Sequence, residues 1–549
     1  MTANDTYFDL GAWQRPIDSR NDDAQLWFNR GLIWVYGFNH EEAVLCFERA
    51  LEADPDCALA HWGIAYAIGP NYNKIWEFMR PREREHALRT AHHHLQTALA
   101  LNLEVGLERA LLEALQTRYP TDPETEDFGP FNDAFADAMR SVYEQFPDDL
   151  DVTSLLADAL MERTPWQLWD MRTGLPIEEA STLEVQELLE DKFVNTPEAW
   201  THPGLLHMYI HLMEMSPTPE VALRHGDHLT NLVPDSGHLT HMATHIDVLC
   251  GDYQNVIHRN RQAARVDRPF AALRGPEQFY TVYRIHNVHF VAYGAMFIAQ
   301  KEVALAAAAE LRELLPESVV AFLPDLFEAF WGMQTHVMVR FGMWQELLDA
   351  PLPEDRELFS FTTALMYYGR VVALANLGRA AEARVELELF FGAREAVQES
   401  RFMFKNPAAE ILSIAGAMAE GEQRYKSGDI EEGLGFLAQA TDLSDNLLYD
   451  EPWGWMQPPR HAHAALLLEQ GRHCEAERLY RDDLGLNTTL GRPFQHPGNV
   501  WALHGLHECL VQRGAMDEAV HIKRQLDRVI ARADVPVGAS CFCRGVAAA

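Results

Sequence analysis

Apolar residues recur at helical spacing along the chain, and the first clear unit lies between Ala24 and Pro55. Leu26, Trp27 and Trp34 fall on one face of a predicted first helix, because side chains three or four positions apart share a helix face. A turn is predicted at residues 37–39. The second predicted helix carries Ala43, Cys46, Phe47, Ala50 and Leu51. The pattern therefore predicts two helices joined by a short turn.

The same turn pattern recurs further along the chain, where a glycine separates two apolar-periodic segments. Glycine tolerates the left-handed backbone conformation that ends many helices. The intervals between the last five of these glycines are 36, 50, 43 and 43 residues, which predicts degenerate repeats with long helices or insertions. No strand is predicted. The turn glycines are Gly251, Gly342, Gly378, Gly428, Gly471 and Gly514.

One motif repeats at a diagnostic interval. Leu-x-His-Met-x-x-His begins at Leu205 and begins again 34 residues later at Leu239. A period of 34 residues is typical of tetratricopeptide repeats, which are helix pairs that stack into a solenoid. The sequence therefore predicts an all-α fold, a right-handed α-solenoid or superhelix of tetratricopeptide-type helix pairs.

These patterns predict three segments. Residues 1–23 form an N-terminal segment, residues 24–533 form the tetratricopeptide-repeat solenoid, and residues 534–549 form a C-terminal tail that contains a Cys-x-Cys motif. The stretch Thr164–Pro197 carries three prolines and is the least regular, so we interpret it as an insertion that crosses the concave face. The tail is expected to pack back on the array or to fray.

Composition narrows the class of protein. Of the 549 residues 48% are hydrophobic, which is typical of a folded chain rather than a disordered one. There are 45 basic and 81 acidic residues, a formal net charge of −36. Such a surface repels phosphate backbones and anionic lipid, so neither a nucleic acid nor a membrane is expected as a partner.

The termini and the cysteines set the expected compartment. The N-terminal residues lack a basic stretch followed by an apolar core, so no signal peptide is predicted. No uncharged apolar run reaches the roughly 18 residues that suggest a membrane span. Seven cysteines in so long a chain do not form a disulfide framework, so a cytoplasmic protein with reduced thiols is expected.

Histidines are concentrated in one part of the chain, where eight of the 25 lie within 44 residues. Each copy of the repeated motif places two histidines four positions apart, on one helix face. One such pair is readily explained as polar residues on a helix surface. Several histidine pairs at repeat-equivalent positions instead favour a metal site, because neutral imidazole binds transition metals whereas protonated rings repel each other. The predicted metal ligands are His207, His211, His238, His241, His245, His286 and His289.

Ligand number and metal identity stay open on these residues alone. Four ligands saturate a structural zinc site, so seven candidates indicate two ions, or one ion with further histidines around it. Imidazole ligation suits copper, zinc or iron. Glu214 is predicted to be a base acting on metal-bound water or a carboxylate ligand, with a solvated charge at a helix end as the alternative. Further candidates for the site are His40, His61, His504, His507, Cys541 and Cys543, whereas His225 and His228 are interpreted as surface residues.

Several motifs together resemble a known family. They are Phe38-Asn-His-Glu-Glu-Ala43, His61-Trp-Gly63, Gly69-Pro-Asn-Tyr-Asn73, the histidine segments 237–246 and 286–290, and Glu451-Pro452. In combination they are similar to a broad family of tetratricopeptide-repeat proteins of bacteria and some fungi with His-rich motifs, over nearly the whole chain. The resemblance implies the solenoid and implies that the histidine motifs act as a unit. It implies no particular reaction.

The sequence favours a metal-dependent enzyme with a His-rich transition-metal site in the concave groove, acting on a small molecule. The chemistry would be oxidative with copper or iron, and hydrolytic or lyase-like with zinc. No nucleophile elbow, phosphate-binding glycine loop or dinucleotide fingerprint is present, which leaves a metal as the expected cofactor. The alternative is a non-enzymatic scaffold that binds a peptide or protein partner in its groove.

Overall fold

The computed structural model describes residues 7–101 and 103–544, and the chain divides into two compact units, Met1–Ile246 and Asp247–Ala549. Helices dominate both units, which confirms the predicted all-α class. Parts of the two predicted terminal segments, residues 1–6 and 545–549, lie outside the described residues. Within the described ranges, no helix combines the length and the apolar content that a membrane crossing requires.

The first unit is an array of helices that pack on their sequence neighbours. Its helices are α1 (Asp22–Tyr36), α2 (His40–Ala53), α3 (Ala58–Ala67), α4 (Pro81–Leu99), α5 (Leu107–Gln116), α6 (Gly129–Gln145), α7 (Leu150–Met161), α8 (Thr182–Asn195), α9 (Pro203–Met213), α10 (Leu223–Leu229) and α11 (Gly237–Leu249), within which the division between the units falls. Short 3-10 helices cover Trp76–Phe78, Pro197–Thr201 and Pro219–Ala222. Alternate helices also touch, as in a solenoid: α1 contacts α3, and α7 contacts α9. In addition α1 contacts α9, which brings the first repeat to the first histidine motif.

The second unit continues the same construction. Its helices are α12 (Tyr253–Arg274), α13 (Thr281–Phe297), α14 (Lys301–Leu314), α15 (Glu317–Phe322), α16 (Pro324–Trp331), α17 (Met333–Arg340), α18 (Trp344–Asp349), α19 (Ser360–Asn376), α20 (Ala380–Glu395), α21 (Ala408–Lys426), α22 (Ile430–Ser444), α23 (Pro459–Glu469), α24 (His473–Asp483), α25 (Val500–Gln512) and α26 (Met516–Ile530), with a 3-10 helix at Arg492–Phe494. Each of α19, α21, α23 and α25 packs on the helix that follows it. The first helices of successive pairs touch as well, α19 with α21 and α23 with α25. This alternation is that of a tetratricopeptide-type α-solenoid.

The predicted glycine turns are confirmed. All six glycines have φ between 64° and 101°, and they occupy one position of a recurring turn. In that turn the next residue donates its N–H to the carbonyl five positions back, as Arg379 does to Leu374 at 2.9 Å. The same turn occurs with Phe38 and with Ala299 at the glycine position, at φ 53° and 54°.

Three local features differ from the sequence predictions. The stretch Thr164–Pro197 is irregular only in its first part, because α8 occupies most of its second part. A small antiparallel hairpin pairs β1 (Phe402–Met403) with β2 (Asn406–Pro407), where no strand was predicted. Cys541 and Cys543 are joined by a disulfide, in contrast to the expectation of reduced thiols throughout.

Candidate metal centre

Two helices of the first unit carry the repeated histidine motif. His207 and His211 lie on α9, and His238, His241 and His245 lie on α11. Histidines four positions apart project from the same side of a helix. All five imidazoles are at most 2% exposed, so these residues do not belong to a solvated helix surface.

The five imidazoles form a closed circuit in which each ring neighbours two others. Their centroids are separated by 5.0 Å for His238 and His207, 4.8 Å for His207 and His211, 5.8 Å for His211 and His245, 4.8 Å for His245 and His241, and 6.0 Å for His241 and His238. The ligand nitrogens of His207, His211 and His238 lie within 4.8 Å of one another. Three nitrogens on one ion at roughly 2.0–2.1 Å with tetrahedral angles would be about 3.3 Å apart, so modest ring rotations would bring this group onto an ion.

Glu214 links the two helices of the circuit. Its carboxylate oxygens accept from Nδ1 of His211 at 3.0 Å and from Nδ1 of His245 at 2.5 Å, and the side chain is fully buried. An ionised carboxylate only accepts hydrogen bonds, so with Glu214 ionised both rings carry their proton on Nδ1. Nε2 of each ring then presents a lone pair. In protein metal sites, a ligating histidine commonly donates the N–H of its other ring nitrogen to a carboxylate.

His207 is oriented in the same way by the backbone. Its Nδ1 donates to the carbonyl of Tyr36 at 2.7 Å, which leaves Nε2 as the nitrogen with a lone pair. Burial, together with the repulsion of a second charge at His211 and His241, lowers the pKa of His207 well below 6.5. The ring is therefore neutral at physiological pH, the form that binds a metal.

His241 and His245 make the closest approach in the circuit, with their Nε2 atoms 2.8 Å apart. Two nitrogens at right angles on one ion at about 2.05 Å would be roughly 2.9 Å apart, so this separation fits adjacent ligands. Without an ion, the same distance fits an N–H···N hydrogen bond in which His241 donates to His245. The pair is thus already spaced for a common partner.

Phe38 covers the circuit from the turn between α1 and α2. Its ring centroid is 4.4 Å from that of His207, 5.8 Å from that of His211 and 5.7 Å from that of His238. Its left-handed φ of 53° costs a non-glycine residue about 1–2 kcal/mol. Six other repeats have glycine at this turn position, which avoids that cost. This repeat therefore carries a phenylalanine ring at a position where the backbone conformation favours glycine. Strain of this kind at a cluster of titratable groups is typical of functional sites.

A buried carboxylate anchors the backbone that holds His207. Asp151 accepts from the hydroxyl of Tyr36 at 2.5 Å, from Arg15 at 2.7 Å and from Trp13 at 3.0 Å, and His202 lies 3.1 Å away. Burial opposes the charge on Asp151, but the hydrogen bond and charge of His202 and the charge of Arg15 outweigh it and keep the carboxyl pKa below its usual range. Tyr36 therefore has fixed contacts at both its hydroxyl and its carbonyl.

A second buried polar group lies at the end of α7, near Phe38. Asp158 and Glu162 lie four positions apart and share one cation, Arg118, which donates to Glu162, while Tyr66 donates to Asp158. Burial raises the pKa of Glu162 to about 8 and also raises that of Asp158, so the pair retains a proton near neutral pH. Asp158 and Phe38 both line a void of about 10 Å³, which has room for about one water molecule.

His286 and His289 lie on α13 of the second unit. The ring centroid of Phe404 is 5.1 Å from that of His286 and 5.7 Å from that of His289, and Phe404 has a left-handed φ of 49°. Burial and repulsion from His336 lower the pKa of His289 to about 3. The second unit therefore also places a strained phenylalanine against a histidine pair, and the role of this pair as metal ligands stays a prediction.

The remaining candidates of the first unit lie outside the circuit. His40 begins α2 and is buried, with its ring 6.3 Å from that of Phe38. His61 instead pairs with His94, Nδ1 to Nδ1 at 2.8 Å. The interpretation of His225 as a surface residue is wrong, because it is 8% exposed and packs among aromatic rings. His228 is exposed, as predicted.

In the second unit, His504 and His507 lie on α25 and are half-buried. Burial lowers the pKa of His504. Cys541 and Cys543 bond to each other, so in this structure neither offers a free thiolate to a metal. Membership of these four residues in a metal site therefore gains no support.

Sequence reasoning missed the residues that surround the circuit. For Asp151, Asp158 and Glu162 a signal was available: three carboxylates in an otherwise apolar helix, at spacings of seven and four, share one face. For Tyr36 and Phe38 no local signal exists, because their contacts depend on the packing of α1 against α9.

Comparisons with known proteins add little. No protein-family model matches the chain, and no curated protein matches it, so the family resemblance stays a prediction. Solved structures align over most of the chain with low scores. The structure of Naa15/Naa10 bound to HypK-THB is 15% identical, over 93% of this chain and 71% of that chain, with a TM-score of 0.21. Yeast Tom70 is 12% identical over 92% of each chain, with a TM-score of 0.27. The APC/C hetero-tetramer Cut9-Hcn1 is 13% identical over 94% of this chain and 97% of that chain, with a TM-score of 0.25. Likeness at this level carries no inference about activity or partners.

Proposed function

We propose that this chain is a transition-metal-dependent enzyme whose ion is held by the imidazole circuit of the first unit. The observation that carries the proposal is the set of oriented rings. His207, His211 and His245 each have Nδ1 bound to a protein acceptor, so each directs an Nε2 lone pair elsewhere. Buried imidazoles that are grouped together, with Nδ1 held by protein acceptors, are simply explained when a cation lies between their Nε2 atoms.

Three features favour a catalytic ion over a structural one. Five imidazoles exceed the four ligands that saturate a structural zinc site. Phe38 covers the circuit in a strained conformation. The Asp158–Glu162 pair retains a proton near neutral pH, and Asp158 lines a water-sized void that Phe38 also lines, so a group able to donate or accept a proton lies near the ring that covers the circuit. The substrate in this proposal is a small molecule.

The metal sets the reaction class. Copper or iron would support oxidation, whereas zinc would lower the pKa of a bound water to about 7 and support hydrolysis or elimination. Glu214 orients His211 and His245 from Nδ1, so we assign it a positioning role, with the sequence-based role as a base acting on bound water as the alternative. His286 and His289 are included as further ligands on the sequence pattern alone.

A second candidate is the scaffold, and one observation favours it. The five imidazoles are at most 2% exposed, and the void beside Phe38 holds about one water, so a substrate larger than that needs the helices to move. A saturated, enclosed ion would stabilise the fold, and the helix array would then serve to bind a peptide or protein partner. The two candidates differ in whether the ion has an open coordination position.

Metal analysis of untagged, unchelated protein tests the proposal. We expect about one or two equivalents of a transition metal, lost in the His207→Ala/His245→Ala variant. His225→Ala is the matched control, because His225 is a buried histidine of the same unit outside the circuit. Added azide should then perturb the spectrum of the bound ion or of a cobalt-substituted form. Metal-free protein that binds added copper, zinc or iron no better than the double variant rejects the metal site. A bound ion that ignores azide supports the scaffold instead.

A further inference from the structure

The second unit contains a buried arginine without a carboxylate partner. Arg340 ends α17 and is 5% exposed. Across residues 7–101 and 103–544, no Asp or Glu oxygen lies within 4.0 Å of its guanidinium. Its hydrogen bonds go to Nδ1 of His461 at 3.1 Å and, at the long distance of 3.5 Å, to the carbonyl of Ser540. Its charge also lies 4.8 Å from the ring centroid of Trp501.

The charge of Asp483 is separated from Arg340 by a neutral ring. Arginine only donates, so Nδ1 of His461 is the acceptor and its Nε2–H donates to Asp483 at 2.8 Å. Burial lowers the pKa of His461 to about 4, so this ring carries no charge at neutral pH. Asp483 already accepts from Nδ1 of His496 at 2.9 Å and from Asn499 at 2.8 Å. Arg340 is therefore neutralised only at a distance.

A small enclosed cavity lies beside this guanidinium. Arg340, Gln457, Glu422 and Trp344 are among the residues that line it, and its volume is about 10 Å³. The side-chain amide nitrogen of Gln457 is buried there without a hydrogen bond of good geometry, and its polar neighbour is the Tyr368 hydroxyl, which also lacks one. Glu422 is fully buried and accepts from Asn376 at 2.8 Å, and burial raises its pKa to about 7.

The donors at this cavity need an acceptor. A guanidinium has five N–H donors, of which the hydrogen bonds to His461 and Ser540 use two, and the Gln457 amide adds N–H donors of its own. A buried charge is destabilising unless a nearby opposite charge compensates for the lost hydration. A neutral water would satisfy the donors but leave the charge. The volume is about that of one water molecule, so it excludes polyatomic anions such as acetate.

We propose that the cavity beside Arg340 binds a halide ion such as chloride, held by the Arg340 guanidinium and the Gln457 amide. The anion would tie α17 to the segment before α23 and to the C-terminal residues at Ser540 and Cys541, which lie at the same place. Binding should therefore stabilise the second unit against unfolding. The site is independent of the imidazole circuit, so it does not depend on the proposed function.

Thermal unfolding of the full-length protein tests this site. The protein is exchanged into potassium gluconate, whose anion is too large for the cavity, and is titrated with potassium chloride, or with potassium acetate as a size control, at constant ionic strength. We expect a saturable rise in Tm of about 2 °C at ten times the Kd for chloride, and none with acetate or gluconate. No saturable rise with chloride, or an equal rise with acetate, overturns the proposal.

Two variants identify the residues. Arg340→Met should abolish the response. Gln457→Glu places a carboxylate in the cavity beside Arg340, so the Tm of this variant should not depend on chloride or acetate. If Arg340→Met fails to fold, the response of Gln457→Glu tests the proposal instead. Arg312→Met is the matched control, because Arg312 is a half-buried arginine of the same unit that stacks on Trp331 at 4.4 Å, and it should respond like wild type. An equal response to gluconate, or a wild-type response in Gln457→Glu, overturns the proposal.

Discussion

Replacing Glu214 with glutamine should weaken metal binding while leaving the helices intact. The carboxylate accepts Nδ1–H from His211 at 3.0 Å and from His245 at 2.5 Å. A glutamine amide offers one acceptor oxygen and one donor nitrogen, so it can satisfy only one of these rings in its present tautomer. The other ring must accept at Nδ1 and carry its proton on Nε2, and that nitrogen no longer binds an ion.

The size of the effect follows from the loss of one oriented ligand. Removing a partner that orients a ligating histidine typically lowers metal affinity 10- to 100-fold, or about 1.4–2.7 kcal/mol. Competition with a chromophoric chelator measures the affinity of wild type and Glu214→Gln for zinc or cobalt. Far-UV circular dichroism checks that the variant is folded.

Glu328→Gln is the matched control. Glu328 is a fully buried glutamate of the second unit whose carboxylate accepts backbone N–H groups of Phe361 and Thr362 rather than imidazoles. It should leave metal affinity unchanged. Equal affinity in Glu214→Gln and wild type would refute the orienting role. An equal loss in both variants would mean that the effect comes from general destabilisation.

Three further predictions concern stability, measured by urea unfolding of the metal-free protein. Gly378→Ala should destabilise the protein by about 1 kcal/mol, because φ is 72° there, whereas Gly392→Ala inside α20 should stabilise it by about 0.5–1 kcal/mol. An added methyl group meets nothing within 4 Å at either site, so the difference comes from the backbone conformation. Effects of the same sign would contradict the turn assignment. Phe38→Gly should lower the free energy of unfolding by about 2–3 kcal/mol, because relief of about 1–2 kcal/mol of strain offsets only part of the roughly 3–5 kcal/mol lost with a buried ring. The control Ala299→Gly, at the equivalent turn, should stay within about 0.5 kcal/mol of wild type. A Phe38→Gly variant more stable than wild type would show that the ring contributes no packing. Burial lowers the pKa of His336 to about 3 from its ordinary 6.5, so below pH 6.5 the unfolded chain binds a proton at this residue that the folded chain does not bind. The stability is fully present above pH 6.5 and falls as the pH drops below it, by about 2 kcal/mol at pH 5. His336→Gln should remove that part of the pH dependence, and an unchanged profile would contradict the assignment.

The repeat architecture was predictable because its signals are local. Each glycine turn is set by the backbone freedom of one residue, so Gly378 and Gly428 could be identified from the sequence alone. The turn with Phe38 could be located only from its flanking helices, since the residue that favours it elsewhere is absent. The hairpin at Phe402–Pro407 was missed because two-residue strands leave no alternating pattern.

The candidate site was predictable in part. The 34-residue interval placed His207 and His241 at equivalent positions, and both lie in the circuit. The partners of the rings were not predictable, because they come from distant parts of the chain: the Tyr36 carbonyl reaches His207 across 171 positions. The same reason explains the error at His225, whose burial depends on Trp200 and Tyr209 rather than on its own helix.

The most direct test of the metal centre is anomalous diffraction at the absorption edge of the bound metal, on crystals of untagged protein that has never met a chelator. We expect a peak about 2.0–2.1 Å from Nε2 of His207 and His211, with Nδ1 of those rings still donating to the Tyr36 carbonyl and to Glu214. No peak in the first unit, or a peak bound through Nδ1 with Glu214 turned away, would contradict it.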